Sequence, residues 1–352
     1  MKIFKKILIL ITVTVLITTT LIGSTQKNVN TDSNVAPEKF VRVAVLISSF
    51  DDVSISLVRQ SLEAIQKENN EKVEFVFFDG KGYQLKQNEI LDSVLKNNFD
   101  LLLLNLVDIS PGSVSASIDQ IKQQNTPVIL FNVEPFITDS VKSYKKSVVI
   151  ATDVEQSGIL EGSLIVNKWN ANKQSIDTNG DNILQYVMLT GERSTTLSIA
   201  RTKYSVSTIN DGGIKTQELA LRATEGTQES AKNVIDSLFL NYGNRIEAII
   251  ANNDTIALGA IQSLQQYGYN NGINLRPIAV VGINGIPEAL DFIKKGFMTG
   301  TVVQDAPAMA KALYTVGMNL VANKNPLDGT DYKFDDTGVV IKMPYTEYLA
   351  QW

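Results

Sequence analysis

The stretch of residues 177–185 places oxygen donors at the spacing of a calcium-binding loop. The donors occupy loop positions 1, 3, 5, 7 and 9, the seventh through its backbone carbonyl: Asp177, Asn179, Asp181, Ile183 and Gln185. Hard Ca²⁺ prefers such an array of carboxylate, amide and carbonyl oxygens. Asn182 stands where the EF-hand loop has glycine, which is tolerable because asparagine enters the left-handed region readily. Position 12 is Met188 and not the usual bidentate glutamate, so the pattern fits either an incomplete calcium site or a solvated turn.

Histidine and cysteine are both absent from the 352-residue chain. Their absence excludes disulfides, zinc sites built from these residues, cysteine nucleophiles and Ser-His-Asp triads. The glycine spacing in 191–196 and 282–287 also differs from that of a phosphate-binding loop. A net charge of −5 makes the chain a poor binder of nucleic acid. We therefore expect a binding protein and not an enzyme.

A second group of polar residues follows a short apolar run. In the segment 245–254 (RIEAIIANND) the run ends at Ala251 and is followed by Asn252, Asn253 and Asp254. Asp254 is expected to cap a helix over 255–267. Ligands bind beyond the carboxyl ends of parallel strands, which makes Asn253 a candidate for ligand contact. The plainer interpretation is a strand, a turn and a capped helix without a ligand.

Short apolar runs alternate with amphipathic segments from residue 41 onward. Such alternation predicts an α/β architecture in which helices cover both faces of parallel sheets. The strands are too numerous for one sheet, so we expect two doubly wound lobes that face each other across a ligand cleft.

The N-terminal 26 residues form a targeting segment. Lys2, Lys5 and Lys6 precede an apolar run over 7–23 that only threonines interrupt. This pattern fits a cleaved signal peptide or an uncleaved membrane anchor, because 17 residues is near the lower limit for a spanning helix. The lack of cysteine excludes a lipid-anchored lipoprotein, and residues 27–39 form a polar linker. We expect the body of the protein to lie outside the cytoplasm.

Six segments of the chain carry a family pattern: 42–52 (RVAVLISSFDD), 103–108 (LLNLVD), 127–135 (PVILFNVEP), 151–165 (ATDVEQSGILEGSLI), 246–254 (IEAIIANND) and 282–290 (GINGIPEAL). Together they resemble the periplasmic galactose/glucose-binding proteins, which are type I sugar-binding proteins of ABC importers. The resemblance implies two lobes around a ligand cleft, joined by three hinge crossovers near 134–149, 296–304 and 332–342. It assigns 40–149 with about 305–332 to the N-terminal lobe. The C-terminal lobe then contains 150–296 with about 338–352.

In that family, a calcium loop without its own twelfth ligand is completed by a glutamate just upstream of the A-N-N-D motif. The matching residue in this chain is Glu247. The resemblance therefore implies a structural Ca²⁺ site formed by Asp177, Asn179, Asp181, Ile183, Gln185 and Glu247.

The resemblance also implies a set of sugar-binding residues at the cleft. Four family positions are retained, and two carry amides in place of an aspartate and an asparagine: Asp52, Asn132, Arg201 and Asn253, then Asn284 and Gln304. Carboxylate, amide and guanidinium groups of this kind form paired hydrogen bonds with sugar hydroxyls.

Other cleft positions depart from the family. Both stacking aromatics are replaced, by Ser54 and Gly226, and Leu197 stands where the family has an aspartate. Because the apolar faces of a pyranose stack on aromatic rings, we expect weak binding of galactose and glucose. Phe50 and Phe136 are the candidates for a replacement ring.

Two functions follow from the resemblance. The first is a monomeric solute-binding protein that captures a monosaccharide outside the cytoplasm for an ABC permease. The second is a sugar-sensing subunit that residues 1–23 hold at the membrane and that signals to a transmembrane kinase or chemoreceptor. The altered cleft and the apolar N-terminal segment are features that fit a sensing subunit better than an ordinary importer subunit.

Overall fold

The computed structural model describes residues 40–132, 138–191, 195–272 and 277–349. The predicted signal or anchor segment, the linker over 27–39 and Phe136 lie outside these ranges. Two six-stranded sheets form the body of the described chain, and helices cover both faces of each sheet. The predicted α/β architecture of two doubly wound lobes is confirmed. No helix within these ranges is both long enough and apolar enough to cross a membrane.

The first sheet is parallel throughout. Its strands are β1 (Val41–Ile47), β2 (Val73–Asp79), β3 (Leu101–Leu104), β4 (Val128–Asn132), β5 (Ser147–Thr152) and β11 (Val340–Met343), in the order β11–β5–β4–β3–β1–β2. Its helices are α1 (Val53–Glu68) and α10 (Ala306–Val321) on one face, and α2 (Gln84–Leu95), α3 (Pro111–Gln123) and α4 (Asp139–Ser143) on the other.

Strand β3 shows why strands of this sheet correspond to continuous apolar runs in the sequence. Leu101 and Leu103 pack against one helical layer, whereas Leu102 and Leu104 pack against the opposite layer. All four leucines are at most 1% exposed. A parallel strand that is covered on both faces needs an apolar side chain at every position, and not at alternate positions.

The second sheet is parallel except at one edge, where β12 runs antiparallel to β10. Its strands are β6 (Ile183–Thr190), β7 (Lys215–Ala223), β8 (Ala248–Ala251), β9 (Ala279–Asn284), β10 (Gly300–Gln304) and β12 (Tyr345–Leu349), in the order β12–β10–β9–β8–β6–β7. Its helices are α5 (Val154–Ala171) and α6 (Thr196–Asp211) on one face, and α7 (Gln228–Tyr242), α8 (Asp254–Gln266) and α9 (Pro287–Lys294) on the other.

The described chain passes between the lobes at three short crossovers. Asp153 separates β5 from α5, Asp305 separates β10 from α10, and Pro344 separates β11 from β12. The two aspartates are helix N-caps, and their Oδ1 atoms accept the backbone N–H groups of Gln156 at 3.0 Å and Ala308 at 2.8 Å. Each of these two crossovers therefore consists of a strand end followed at once by a capped helix.

These crossovers lie one to four residues beyond the segments that the sequence predicted. Strands β5, β10 and β11 begin inside the expected segments 134–149, 296–304 and 332–342, and each stays within one sheet. The physical reason is that the hydrogen-bonded ladder continues to the last residue of each strand. The described part of the expected segment 338–352, up to residue 349, consequently divides between the lobes, since β11 pairs with β5 and β12 joins the second sheet.

Candidate ligand cleft and candidate metal centre

Five of the six predicted ligand residues lie where a strand ends or the following helix begins. Asn132, Asn284 and Gln304 are the last residues of β4, β9 and β10. Asp52 and Asn253 are the N-caps of α1 and α8. Because β4 and α1 belong to the first lobe and the other elements to the second, these residues come from both sides of the cleft.

Hydrogen bonds join the two lobes directly across this cleft. Asn284 Nδ2 donates to Ser54 Oγ at 3.0 Å, and the Ser54 hydroxyl donates to Asp52 Oδ1 at 2.9 Å. Gln304 Nε2 donates to Asn132 Oδ1 at 2.5 Å. The fold thus brings predicted ligand groups of opposite lobes together, and they satisfy one another. A ligand that enters must exchange these bonds for bonds to its own hydroxyl groups, which both donate and accept.

Asn132 and Asn284 reach across the cleft from a left-handed backbone. Their φ angles are +77° and +126°, values that few residues other than glycine adopt. Such conformations cost about 1–3 kcal/mol each and persist where the surrounding structure enforces them. These two strained strand ends carry the carboxamides that form the bonds between the lobes. The backbone conformation therefore directs both side chains across the cleft.

The two positions where the family carries stacking aromatics present no ring. Ser54 takes part in the interlobe bond. Gly226 has a φ of +75° and open space around the place of a Cβ, so a side chain there would be strained. The ring of Phe50 packs on the core of its own lobe, with the Arg59 guanidinium 4.4 Å from its centroid. Leu57 provides an apolar contact between the lobes, because it packs against both cores.

Arg201, the sixth predicted ligand residue, lies in the second turn of α6 and is 4% exposed. Its Nε donates to Ser157 Oγ at 3.2 Å, its Nη1 to the Asn252 carbonyl at 2.7 Å, and its Nη2 to the Tyr345 hydroxyl at 3.1 Å. Asn252 follows β8 and Tyr345 follows the third crossover, so the guanidinium lies at the edge of the second sheet that faces the cleft. A guanidinium has five N–H groups, and two of them form no hydrogen bond with a described residue beyond these three.

Asn253, and not Asp254, caps helix α8. Asn253 Oδ1 accepts the N–H of Ile256 at 2.9 Å, whereas Asp254 is the first helical residue and is fully buried. The Asp254 carboxylate accepts the hydroxyl of Thr301 at 2.6 Å and the N–H of Ile286 at 3.0 Å. The prediction of an Asp254 cap is wrong because asparagine caps equally well, and the carboxylate has donors inside the lobe. Burial raises the pKa of Asp254 to about 6, although these hydrogen bonds act to lower it.

Glu161 is a buried acid outside the set of predicted residues. Its side chain is 0% exposed, and neither carboxyl oxygen has a hydrogen-bond partner among the described residues. Burial raises its pKa well above the usual range; the charge of Arg201 lowers the pKa and the charge of Asp254 raises it. The sequence does carry a signal for this buried acid. Glu161 shares the helical spacing of Ser157 and Leu164 on the buried face of α5, where a charge is rare.

The predicted metal-binding residues 177–185 form a tight loop. Gly180 and Asn182 have φ angles of +74° and +64°, so Asn182 adopts the left-handed backbone that the spacing requires. Asp177 Oδ2 accepts the N–H of Asn182 at 3.1 Å and lies 3.5 Å from Lys173 Nζ. The other oxygen, Asp177 Oδ1, is buried without a hydrogen-bond partner in the described ranges.

The other side chains of the loop bond to one another, and Glu247 lies against them. Asn179 Nδ2 donates to Gln185 Oε1 at 2.9 Å, and Gln185 Nε2 donates to Asp181 Oδ2 at 2.8 Å. Glu247 accepts the backbone N–H groups of Thr178 at 2.9 Å and of Gln185 at 3.1 Å. The fold therefore brings Glu247 to the loop from a position 62 residues after Gln185.

The chemistry of this loop fits a hard cation. Asp177 Oδ1 has no partner, and the pKa of Glu247 is raised by burial and, to a smaller extent, by the charge of Asp177. A cation between the two carboxylates would satisfy the first and offset the second. No three acidic, histidine or cysteine side chains in the described ranges stand close enough to hold a metal ion by themselves. A bound ion would therefore also use the amide oxygens of Asn179 and Gln185 and the carbonyl of Ile183.

Comparison with known proteins identifies the family to which this architecture belongs. Residues 43–325 match the sequence profile described as "Periplasmic binding protein domain". The chain is similar to the D-galactose/methyl-galactoside binding periplasmic protein MglB of Haemophilus influenzae, with 32% identity over 305 residues, 86% of this chain and 88% of the relative.

Two solved structures share the fold. One is an ABC transporter solute binding protein from Bacillus halodurans with bound myo-inositol, at a TM-score of 0.70 and 21% identity over 89% of this chain and 96% of that one. The other is a galactofuranose binding protein, at a TM-score of 0.71 and 18% identity over 88% and 95% of the two chains. With its two lobes, interlobe cleft and matching profile, the chain belongs to the periplasmic binding protein family.

Proposed function

We propose that this protein binds a monosaccharide between its lobes, outside the cytoplasm, and delivers it to an ABC importer. The observation that carries the proposal is the set of carboxylate, amide and guanidinium groups that both lobes contribute to the cleft edge. Such groups match the donors and acceptors of sugar hydroxyls. The names of two relatives support a monosaccharide, since they describe galactose or methyl-galactoside binding and galactofuranose binding, and the bound myo-inositol of a third is a cyclic polyol with a similar array of hydroxyl groups. A catalytic role is not part of the proposal.

Within this class, the cleft favours a ligand other than galactose or glucose in the pyranose form. Ser54 and Gly226 provide no ring for the two faces of a pyranose, and the ring of Phe50 is taken up by its own lobe. Loss of two stacking partners costs roughly 1–3 kcal/mol of affinity. A pentose or a furanose form depends less on stacking and keeps the hydrogen bonds.

A thermal-shift screen of hexoses and pentoses tests the proposed function. A ligand that binds only the folded protein stabilises it by about 2.7 kcal/mol at a concentration one hundred times its Kd. Arg201→Lys tests the part of the guanidinium in this binding, because it keeps the charge but loses the planar fork of donors. We expect at least one monosaccharide to raise the Tm of the unmodified protein and to have a smaller effect on the variant. A screen in which no monosaccharide raises the Tm would refute sugar binding.

A sensing role is the second candidate function for the same cleft. The apolar run over 7–23 favours it, because a retained segment of this kind would hold the protein beside a membrane partner. Cross-linking of the full-length chain in membranes separates the two roles. Import predicts capture of an ABC permease, and sensing predicts capture of a transmembrane kinase or chemoreceptor.

The proposal includes a structural Ca²⁺ ion. Its ligands would be the carboxylates of Asp177, Asp181 and Glu247, the amide oxygens of Asn179 and Gln185, and the carbonyl of Ile183. Binding would draw the three carboxylates closer together than they stand in the structure. The ion would join the loop to the residue that precedes β8 and so stabilise the second lobe. It would have no direct part in ligand binding, because Glu247 lies at the amino end of β8 and the cleft lies at the carboxyl end.

A further inference from the structure

The second lobe contains a buried glutamate that has no hydrogen-bond partner in the part of the chain that the structure describes. Glu161 lies in the middle of α5, is 0% exposed, and has no hydrogen-bond partner at either oxygen among the described residues. Burying a carboxyl group without partners costs several kcal/mol if the group is ionised. A fold that keeps such a group uses either its neutral form or a partner that arrives in another state of the protein.

The geometry of α5 directs this side chain toward Arg201. Glu161 lies one turn after Ser157, whose hydroxyl accepts Arg201 Nε at 3.2 Å. Side chains on a helix tilt toward its N-terminus, so the Glu161 carboxyl leans over the turn that carries Ser157. Helices α5 and α6 also approach closely at Gly158, where an added Cβ would lie 2.9 Å from the Arg201 carbonyl. The Glu161 side chain therefore leans toward the turn of α5 that contacts the Arg201 guanidinium.

Two charged groups act on Glu161 from the elements packed around it: Arg201 on α6, which lowers its pKa, and Asp254 on α8, which raises it. Strands β9 and β10 carry no charged residue. On β12, Glu347 is exposed and accepts a bond from Asn167, near the far end of α5, at 3.5 Å. Lys203 and Asp211 of α6 are exposed as well.

We propose that Glu161 is a positioning residue for Arg201, an inference that rests on the proposed role of Arg201 in ligand binding. As a neutral acid, Glu161 leaves the guanidinium bonded to the Asn252 carbonyl and the Tyr345 hydroxyl, and the two N–H groups that no described residue accepts are available to a ligand. As a carboxylate, it draws the guanidinium into the space between α5 and α6. Ligand affinity is then highest while Glu161 is neutral and falls as pH rises and Glu161 ionises. The expected loss is about tenfold or more, which corresponds to one charge-assisted hydrogen bond.

Nuclear magnetic resonance of the ligand-free protein tests this coupling without any sugar. The ¹⁵Nε–¹Hε signal of Arg201, assigned by its loss in Arg201→Lys, is followed from pH 5 to pH 9. We expect a change near pH 6 from Asp254 in every protein that retains this aspartate, and a second change, from Glu161, that is absent from Glu161→Gln. Glu155→Gln, an exposed acid on the same helix, should behave like the unmodified protein. Superimposable titrations of Glu161→Gln and the unmodified protein would overturn the inference.

Ligand affinity over the same pH range gives the functional readout. We expect the monosaccharide identified by the thermal-shift screen to bind more weakly as pH rises, and this weakening to be absent from Glu161→Gln. Identical pH profiles for the two proteins would overturn the positioning role while leaving sugar binding intact. A second pH-dependent change of the Arg201 signal in a protein that binds no monosaccharide would instead refute the proposed function and support the coupling of Glu161 to Arg201.

Discussion

Replacing Glu247 separates its role as a metal ligand from its role as a hydrogen-bond acceptor. Its carboxylate accepts two backbone N–H groups, from Thr178 at 2.9 Å and from Gln185 at 3.1 Å. Glu247→Ala leaves both donors unsatisfied. Because a hydrogen bond to a charged group contributes about 1.5–3 kcal/mol, the variant should lose roughly 3–6 kcal/mol with or without metal. Destabilisation by this change alone is therefore no evidence for calcium.

Glu247→Gln is the informative variant, because it keeps the shape and one acceptor oxygen but loses the negative charge. Unfolding is followed by heat and by urea, once in excess Ca²⁺ and once in excess chelator. An ion present at about a thousand times its Kd stabilises the native state by about 4 kcal/mol. We expect the chelator to remove stability of this order from the unmodified protein and much less from Glu247→Gln.

The control is Glu229→Gln, which replaces an exposed acid of the same lobe and should keep the full chelator effect. An equal chelator effect in Glu247→Gln and the unmodified protein would remove Glu247 from the site. Lack of any chelator effect in the unmodified protein would contradict the calcium site as a whole. Sugar affinity should change by less than about twofold in Glu247→Gln, because this residue lies at the end of β8 opposite the cleft.

Three further variants test the second lobe and the cleft. The raised pKa of Glu161 makes its contribution to stability largest below the usual glutamate pKa, and this contribution is lost as pH rises through the raised value. Glu161→Gln should lack that fall in urea unfolding between pH 4 and pH 9, and a pH-independent difference between the two proteins would argue against it. Ser54→Ala removes the hydroxyl to which Asn284 donates at 3.0 Å, so the ligand-free variant should have a larger radius of gyration by small-angle scattering. An unchanged radius would show that this bond does not hold the lobes together. Gly282→Ala would place a Cβ 2.5 Å from Asp254 Oδ1 and should lower the unfolding free energy by about 1–3 kcal/mol. A Tm equal to that of the unmodified protein would show that the carboxylate moves aside without cost.

Those parts of the fold that depend on local pattern could be predicted from the sequence. The all-leucine strand β3 is apolar at every position, and Val41–Ile47 at every position except Arg42, because helices cover both of their faces. The left-handed conformation of Asn182 follows from its place in the loop, and its φ is +64°. In each case the residues involved are neighbours in sequence, so short-range rules suffice.

Features set by distant partners could not be predicted in this way. Asn253 and Asp254 are equally good caps in isolation, and the choice depends on donors more than 30 residues away, at Ile286 and Thr301. The bond between Asn284 and Ser54 joins residues 230 positions apart on different lobes. The crossovers depend on how far each ladder extends, which no local pattern specifies.

Titration calorimetry on the unmodified protein and on one variant in each lobe tests most directly whether a sugar bridges the two lobes. Asn132→Gly removes the carboxamide of the first lobe at a φ of +77°, which glycine tolerates. Asn253→Ser removes the carboxamide of the second lobe and keeps a helix cap. We predict that a monosaccharide other than galactose and glucose binds the unmodified protein more tightly than these two do. Each variant should weaken this binding by about tenfold or more. Binding that neither variant weakens, or micromolar binding of galactose or glucose, would contradict the account.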